Sequence, residues 1–407
     1  MQGVEKVLII GKVWPEPKSS AAGLRMMQLI EFFQSLGAEV VFASTANESA
    51  FQEKLTIQTK TIQLNSNSFD DFLLDLKPQI VVFDRFMTEE QFGWRVMENC
   101  PDALRILNSE DLHCLRFARQ ESIKRDGTLK HVELFNEKAF REVASIYRCD
   151  VSLMVSETEI ELLNSVFNVP CTKLYYLPLC VEETNLTTPA FSDRKDFVFI
   201  GNFLHEPNWD AIRFLKTDIW PEIRAKMPEA VLNVYGAYPS QKVTDLHNAS
   251  EGFLVHGRAD NALEVIGNAK VCLVPVRFGA GIKGKILDAM KVGTPVVTTS
   301  IGAESMTVEN RLNGIVADSI IEFATASIEL YQNRDEWDKA QKNGFEIVSV
   351  KFSKGIYYPQ FKSDLIELIR EIKEIRKSDF TSLLVQQQSL LSTKFMSKWI
   401  EEKNRKD

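Results

Sequence analysis

Short aliphatic runs alternate with longer stretches of helical period along almost the whole chain, and this alternation limits the fold more than any other feature. Val7-Leu8-Ile9-Ile10, within Lys6 to Gly11, reads as a strand. Ala22 to Leu36 follows it with Leu24, Met27, Ile30, Phe33 and Leu36 at every third position, the mark of a helix. Glu39 to Ala43, Gln79 to Asp84, Ala103 to Leu107, Val151 to Ser156 and Lys173 to Leu179 continue the strands, with helical segments such as Glu157 to Phe167 between them. One doubly wound parallel sheet accounts for this half.

The pattern stops between Cys180 and Asp196, where Glu182 to Pro189 offers no apolar face to bury. It restarts with Phe197 to Gly201, Val231 to Tyr235, Phe253 to His256, Val271 to Val276, Pro295 to Thr299 and Gly314 to Ala317, each followed by a helix-compatible segment. The expected fold class is therefore α/β, with two Rossmann-like doubly wound parallel-sheet domains facing a cleft. Residues 1–180 and 196–350 form the domains, 351–378 a helix returning to the N-terminal domain, and 379–407 a C-terminal helical tail. Ligands of such folds sit at the carboxyl ends of the strands.

Composition narrows the function. A chain of 407 residues with 44% apolar and 26% charged residues is a soluble globule of two or three domains. Its 48 basic against 56 acidic residues, a net charge of -8, argue against nucleic acid as a partner, so any phosphate must be held locally. The apolar run at Val7 is too short for a signal peptide or a membrane span, which places the protein in the cytoplasm. Six cysteines without a C-x-x-C pair or a histidine at zinc spacing read as reduced thiols, mostly buried.

The densest signal is Val274-Pro275-Val276-Arg277-Phe278-Gly279-Ala280-Gly281-Ile282-Lys283-Gly284-Lys285-Ile286-Leu287-Asp288-Ala289-Met290, a strand, a glycine-rich turn and a helix start. Gly279, Gly281 and Gly284 satisfy G-x-G-x-x-G, but a dinucleotide site needs an acid after the next strand, and Pro295 to Thr299 runs into Ser300. A phosphate site at a glycine turn and helix N-terminus remains. Lys285 and Asp288, three apart on one helix face, would set an ammonium by a diphosphate and a carboxylate by a sugar diol; the alternative is a surface ion pair.

This run resembles the retaining family 4 glycosyltransferases of the GT-B fold. Gly279 to Lys285, Asp288-Ala289-Met290, Gly293-Thr294-Pro295-Val296-Val297 and Gly302-Ala303-Glu304 follow the family's second-domain pattern. Phe199-Ile200-Gly201-Asn202-Phe203, His205 and Pro207-Asn208-Trp209-Asp210-Ala211 are similar to that domain's first turn and helix. The family's glutamate pair, eight positions apart, is altered to Ala280 and Asp288. The resemblance implies transfer of a sugar from a nucleotide-diphosphate sugar to a hydroxyl of a glycan, lipid-linked or protein acceptor, in glycan or polysaccharide synthesis.

The same resemblance implies the residues. His113, Lys285 and Asp288 are the catalytic candidates. Gly201, Asn202, His205, Arg258, Arg277, Gly281, Ile282, Lys283, Lys285 and Asp288 would hold the donor, and Gly23, Arg25 and Asp111 the acceptor. The bland account of the N-terminal group makes Ser109 or Asn108 a helix cap with Glu110 and Asp111 in the first turn and His113 on the helix surface. No Asp-x-Asp triplet occurs, so no metal and no cofactor is expected, and amides, Lys285 and Arg277 would meet the leaving charge. Rival readings on the same architecture are a nucleotide-sugar epimerase or hydrolase and a weakly active scaffold in a glycan-assembly complex. In the tail, Phe380, Leu384, Leu391, Phe395 and Trp399 share helical spacing with Lys394, Lys398, Lys403, Arg405 and Lys406 nearby; such a helix either touches an anionic membrane on its inner face or packs on its own protein.

Overall fold

The computed structural model describes residues 4–47, 51–182 and 188–404, and within them the strands form two all-parallel sheets. The first contains β1 (Lys6–Gly11), β2 (Glu39–Ser44), β3 (Gln58–Thr61), β4 (Ile80–Asp84), β5 (Leu104–Asn108), β6 (Val151–Met154) and β7 (Leu174–Tyr176), in the order β3-β2-β1-β4-β5-β6-β7. The second contains β8 (Lys195–Ile200), β9 (Leu232–Tyr235), β10 (Phe253–Gly257), β11 (Ala269–Val274), β12 (Val296–Thr298) and β13 (Gly314–Val316), in the order β10-β9-β8-β11-β12-β13. Both sheets wind outward in two directions from their first strand. Each therefore has a switch point, between β1 and β4 and between β8 and β11, where a crevice opens at the strand ends.

Strands covered by helices on both faces must be apolar throughout. Leu8, Ile10, Val81 and Phe83 enter one core of the first sheet, while Val7, Ile9, Ile80 and Val82 enter the other. That alternation is the period of two expected of a strand. The edge strand β3 was not anticipated, because Gln58-Thr-Lys-Thr is polar and largely exposed, with no core to imprint a pattern. Strand β6 stops at Met154 because the Ser156 hydroxyl accepts from the Glu159 amide and caps the helix Glu157–Ser165.

The chain passes between the sheets twice, at the same place. The Val181 amide donates to the Phe352 carbonyl at 2.6 Å and the Lys354 amide to the Val181 carbonyl at 2.9 Å, so the two crossings lie side by side. Residues 183–187 of the linker segment lie outside the described residues. After the second crossing, helix Lys354–Ser378 sends Phe361, Leu365 and Ile372 into the N-terminal core, where Phe361 meets Phe32 with ring centroids 4.7 Å apart.

Helix Phe380–Asn404 lies along the N-terminal domain in an unexpected orientation. Ser382, Leu390 and Ser397 are buried against the domain, whereas Phe380, Phe395 and Trp399 are 74%, 62% and 61% exposed. Charge fixes it there: Arg95, almost fully buried, needs both Asp70 and Glu401, and Lys394 pairs with Glu98. The apolar stripe does share one face, but that face looks outward; Arg405 and Lys406 lie outside the described residues. No described helix is long and apolar enough to cross a membrane.

Candidate active site

Loops that leave the carboxyl ends of the two sheets touch one another, so the switch-point crevices face across a shared cleft. The Asn202 amide, after β8, donates to the Ser19 carbonyl, after β1, at 3.4 Å. Ser156 and Thr158, after β6, share hydrogen bonds with Ser305, after β12, at 2.9 and 3.1 Å. Arg119 grips Glu304 through two bonds of 2.8 and 2.6 Å and donates a third to the Gly279 carbonyl at 2.8 Å.

The glycine turn between β11 and helix Gly284–Lys291 is the centre of this contact. Gly281 has φ +65°, and a Cβ there would stand 2.9 Å from Asp111 Cβ; at Gly284 it would stand 2.9 Å from Ala21 Cβ. Both glycines thus let the N-terminal domain approach, which is a job the phosphate reading did not foresee. The Gly281 amide donates to Glu159 Oε1 at 2.7 Å, and the same oxygen accepts from the Leu112 amide at 3.0 Å, so one carboxylate ties both domains. Burial raises Glu159 to about 7. Ala280, where the resembled pattern has an acid, packs against the N-terminal core.

On the C-terminal wall, Lys285 Nζ donates to Asn208 Oδ1 at 2.7 Å and lies 4.4 Å from the centre of the Phe199 ring, and burial pulls it down to about 8. Gly201 is a glycine because Asn208 and this ammonium crowd its Cβ position at 2.8 and 2.9 Å. Asp288 accepts from Lys291 at 3.4 Å and is raised by burial, so Lys285 and Asp288 do not form the surface pair of the alternative reading. His205 precedes helix Glu206–Phe214 at the cleft rim. Desolvation by the crowded rim lowers its imidazole although the residue surface is exposed, and Arg116, Lys285, His113 and Arg85 add to the effect. Those cations come from both domains. Together they make the cleft attractive to an anion.

Several expected donor groups are otherwise engaged. Arg277 is committed to Asp210 at 2.8 Å and lies over Phe214, so it buttresses the wall and is not free for a phosphate. Lys283 is buried and turned back onto the Gly281 carbonyl at 2.8 Å, and the Gly281 amide itself is occupied by Glu159. Arg258 donates to Ser19 Oγ at 2.9 Å across the cleft rim. Ile282 is half-buried in the turn.

On the N-terminal wall, Gly23 admits the Glu16 backbone, and Arg25 is a buried strut to Asn108 Oδ1 and the Pro178 carbonyl, at 3.3 and 2.9 Å. The acceptor role expected for these two is corrected to a structural one. Asp111 pairs with Arg116 and lies 3.4 Å from His113 Nε2. His113 opens helix His113–Asp126, whose first amides are capped by Glu142 at 3.0 and 2.9 Å and not by Ser109 or Asn108. Glu110, with φ +63°, cannot join that helix. Burial lowers the His113 imidazole, which rests edge-on against Phe86 at 5.4 Å.

Sequence reasoning missed Arg85, Glu110, Arg116, Arg119 and Glu159. Arg85 and Glu110 follow the ends of β4 and β5, and the signal that could have found them is a charged residue just past a mostly aliphatic strand near a switch point.

Residues 194–333 match the family model for glycosyl transferases group 1. A relative described as an uncharacterized 44.6 kDa protein in the cps region of Klebsiella pneumoniae is 20% identical, covering 88% of this chain and all of its own. Sucrose-phosphate synthase from Thermosynechococcus elongatus superposes with a TM-score of 0.65 at 16% identity, over 91% of this chain and 100% of that one. Anabaena HepE in complex with UDP and glucose gives 0.66 at 12%, over 90% and 100%. With a 3-2-1-4-5-6-7 sheet and a 3-2-1-4-5-6 sheet facing one cleft, and with these likenesses along the chain, the chain has the two-domain GT-B fold.

Proposed function

We propose that this protein transfers a sugar from a nucleoside-diphosphate sugar to an acceptor hydroxyl, with retention and without a metal ion, in glycan or polysaccharide synthesis. The observation that carries the reading is a glycine turn that sets Lys285, on Asn208, across one cleft from Asp111 and His113, since a Cβ at Gly281 would stand 2.9 Å from Asp111 and His113 Nε2 lies 3.4 Å from that carboxylate. The group 1 match on the donor domain, the UDP and glucose named for HepE and the cps-region relative support it.

In this reading the sugar C1–oxygen bond to the diphosphate breaks, the acceptor oxygen bonds to C1 on the same face, and the hydroxyl proton passes to the departing phosphate. Lys285 meets the growing phosphate charge. Its depressed value marks a cation short of solvent, which an anion relieves. Asp288 accepts from donor hydroxyls, and His113 positions the sugar from the opposite wall.

Calorimetry with UDP, ADP and GDP, followed by transfer assays with the matching nucleotide glucose, tests the proposal. Binding of one nucleotide and release of free nucleotide only when acceptor is added are expected, with activity unchanged in EDTA. Loss of activity in EDTA restored by magnesium or manganese overturns the metal-free part. Release of a free sugar without acceptor overturns transfer in favour of hydrolysis.

A further inference from the structure

The N-terminal wall holds a cation that makes no hydrogen bond among the described residues and has Asp84 as its ion-pair neighbour. Arg85 directly follows β4, beside the switch point, with φ +71°, a conformation that L residues adopt only where the surroundings impose it. Its amide is pinned to the Asn108 carbonyl at 2.8 Å. Among the described residues its guanidinium makes no hydrogen bond: Asp84 Oδ2, its ion-pair neighbour, is 4.0 Å from Nη1, outside bonding range. The side chain is 21% exposed, so its donors face the cleft and can reach a ligand there.

Around it stands a fixed array of acceptors. Asn108 Nδ2 donates to Glu110 Oε1 at 2.7 Å and to Asp84 Oδ1 at 3.3 Å, and Asn108 faces Asp84 in the register of β4 and β5. The second Glu110 oxygen receives no hydrogen bond among the described residues. Burial, with Asp84 next, raises Glu110 to about 7, while Arg85, Arg25 and Asn108 pull the other way. One cation without a hydrogen bond, beside two anchored carboxylates, suits a molecule with one oxyanion and several hydroxyls. The place of Arg85 after β4 on the N-terminal wall, across the cleft from Lys285, sets it apart from the donor's diphosphate.

We propose that Arg85 binds an oxyanion carried by the acceptor, a phosphoryl or carboxylate group on a sugar, while Glu110 and Asp84 accept from that sugar's hydroxyls. The proposal rests on the transferase reading and names its acceptor class.

The test is calorimetry on the full chain, with and without saturating nucleotide, using glucose 6-phosphate, glucuronate and glucose as probes. Wild-type protein should bind at least one acidic sugar roughly tenfold tighter than glucose, and Arg85→Gln should erase that preference, a loss of about tenfold to a hundredfold. Arg85→Lys should restore part of it, because an ammonium keeps the charge without the planar fork. Nucleotide affinity should fall by no more than a few-fold in either variant, far less than the acidic-sugar preference, because toward the donor Arg85 adds only to the general field of the cleft. Equal or undetectable binding of acidic and neutral sugars to wild type overturns the proposal. A tenfold or larger loss of nucleotide affinity in Arg85→Gln also overturns it, by assigning the cation to the donor. Failure of every nucleotide to bind wild type counts instead against the transferase reading, and the sugar arms without nucleotide still decide the acceptor question.

Discussion

The two walls of the cleft share a strand order but spend their charges differently. On the C-terminal wall nearly every cation is already engaged: Arg277 with Asp210, Lys283 with the Gly281 carbonyl and Lys285 with Asn208. On the N-terminal wall Arg85, 4.0 Å from Asp84, has no hydrogen-bonding partner among the described residues, and Arg116 and His113 share Asp111. A wall whose groups are fixed in advance suits a substrate that is always the same, such as a diphosphate. Unspent groups suit the more variable partner. The comparison is sharpened or broken by variants on each side.

The largest effect is expected from Lys285→Ala. A donor that strengthens as the leaving group gains charge is worth about 10²-fold in turnover in preorganised sites, so kcat should fall at least roughly tenfold to a hundredfold. Asp288→Asn should act mainly through KM, because it removes an acceptor used equally in ground and transition states. Normal turnover of Lys285→Ala at saturating donor would show that the ammonium serves only to hold Asn208.

The next effect concerns closure. Arg119 and Glu304 are 11% and 20% exposed, between a surface pair and a buried one, so Arg119→Ala should cost about 1–3 kcal/mol of the closed arrangement. Donor KM should rise several-fold with little change in kcat at saturation, and the radius of gyration from solution scattering should increase. An unchanged radius and KM would mean that Glu159 and the Ser305 cluster suffice to hold the domains together.

The walls also differ in how far they could be read from sequence. Both sheets were legible because doubly covered strands must be aliphatic, whereas β3 left no mark because its polar residues face water. The glycine turn was legible as a place, yet its cause was misjudged: Gly281 and Gly284 make room for Asp111 and Ala21, residues far away in sequence that no local pattern can reveal. Arg25 was expected at the acceptor, but its partners Asn108 and Pro178 arrive only with tertiary structure. The tail's stripe was legible as a shared face, but which face packs was not, because the ion pairs of Arg95 and Lys394 that seat the helix link residues distant in sequence.

A smaller, signed effect tests the C-terminal wall alone. Lys285 falls from 10.5 unfolded to about 8 folded, through burial first, so the unfolded chain binds more protons between those values. Stability therefore rises with pH across about 8 to 10.5, and the penalty is fully present below 8. An arriving diphosphate favours the ammonium and pushes its value back up, so nucleotide binding near pH 8.5, roughly in that window, should take up protons. Calorimetry in buffers of different ionisation enthalpy measures the uptake directly. It should vanish in Lys285→Arg, whose cation does not titrate there. Uptake that persists in this variant would transfer the titration to Lys283, which burial also lowers to about 8.

The smallest effect on the cleft is expected from removing residues 380–407. The helix is seated on the N-terminal domain by Leu390, two serines and ion pairs, and it touches neither Lys285 nor Arg85, so nucleotide affinity should stay within about twofold. What changes is the outer surface, which loses Phe380, Leu384, Leu391, Phe395 and Trp399. Lys394 is turned onto Glu98 and Lys398 lies 5.9 Å from the Trp94 ring centre, so two of the tail's cations already serve the protein itself. Vesicle binding by the full chain should then depend more on the apolar stripe than on anionic lipid, and be lost in the truncated form. Equal sedimentation of the full and truncated chains with vesicles would remove the membrane from the account. A large drop in the truncated protein's melting temperature would show that the buried Arg95, stripped of Glu401, is what the tail exists to neutralise.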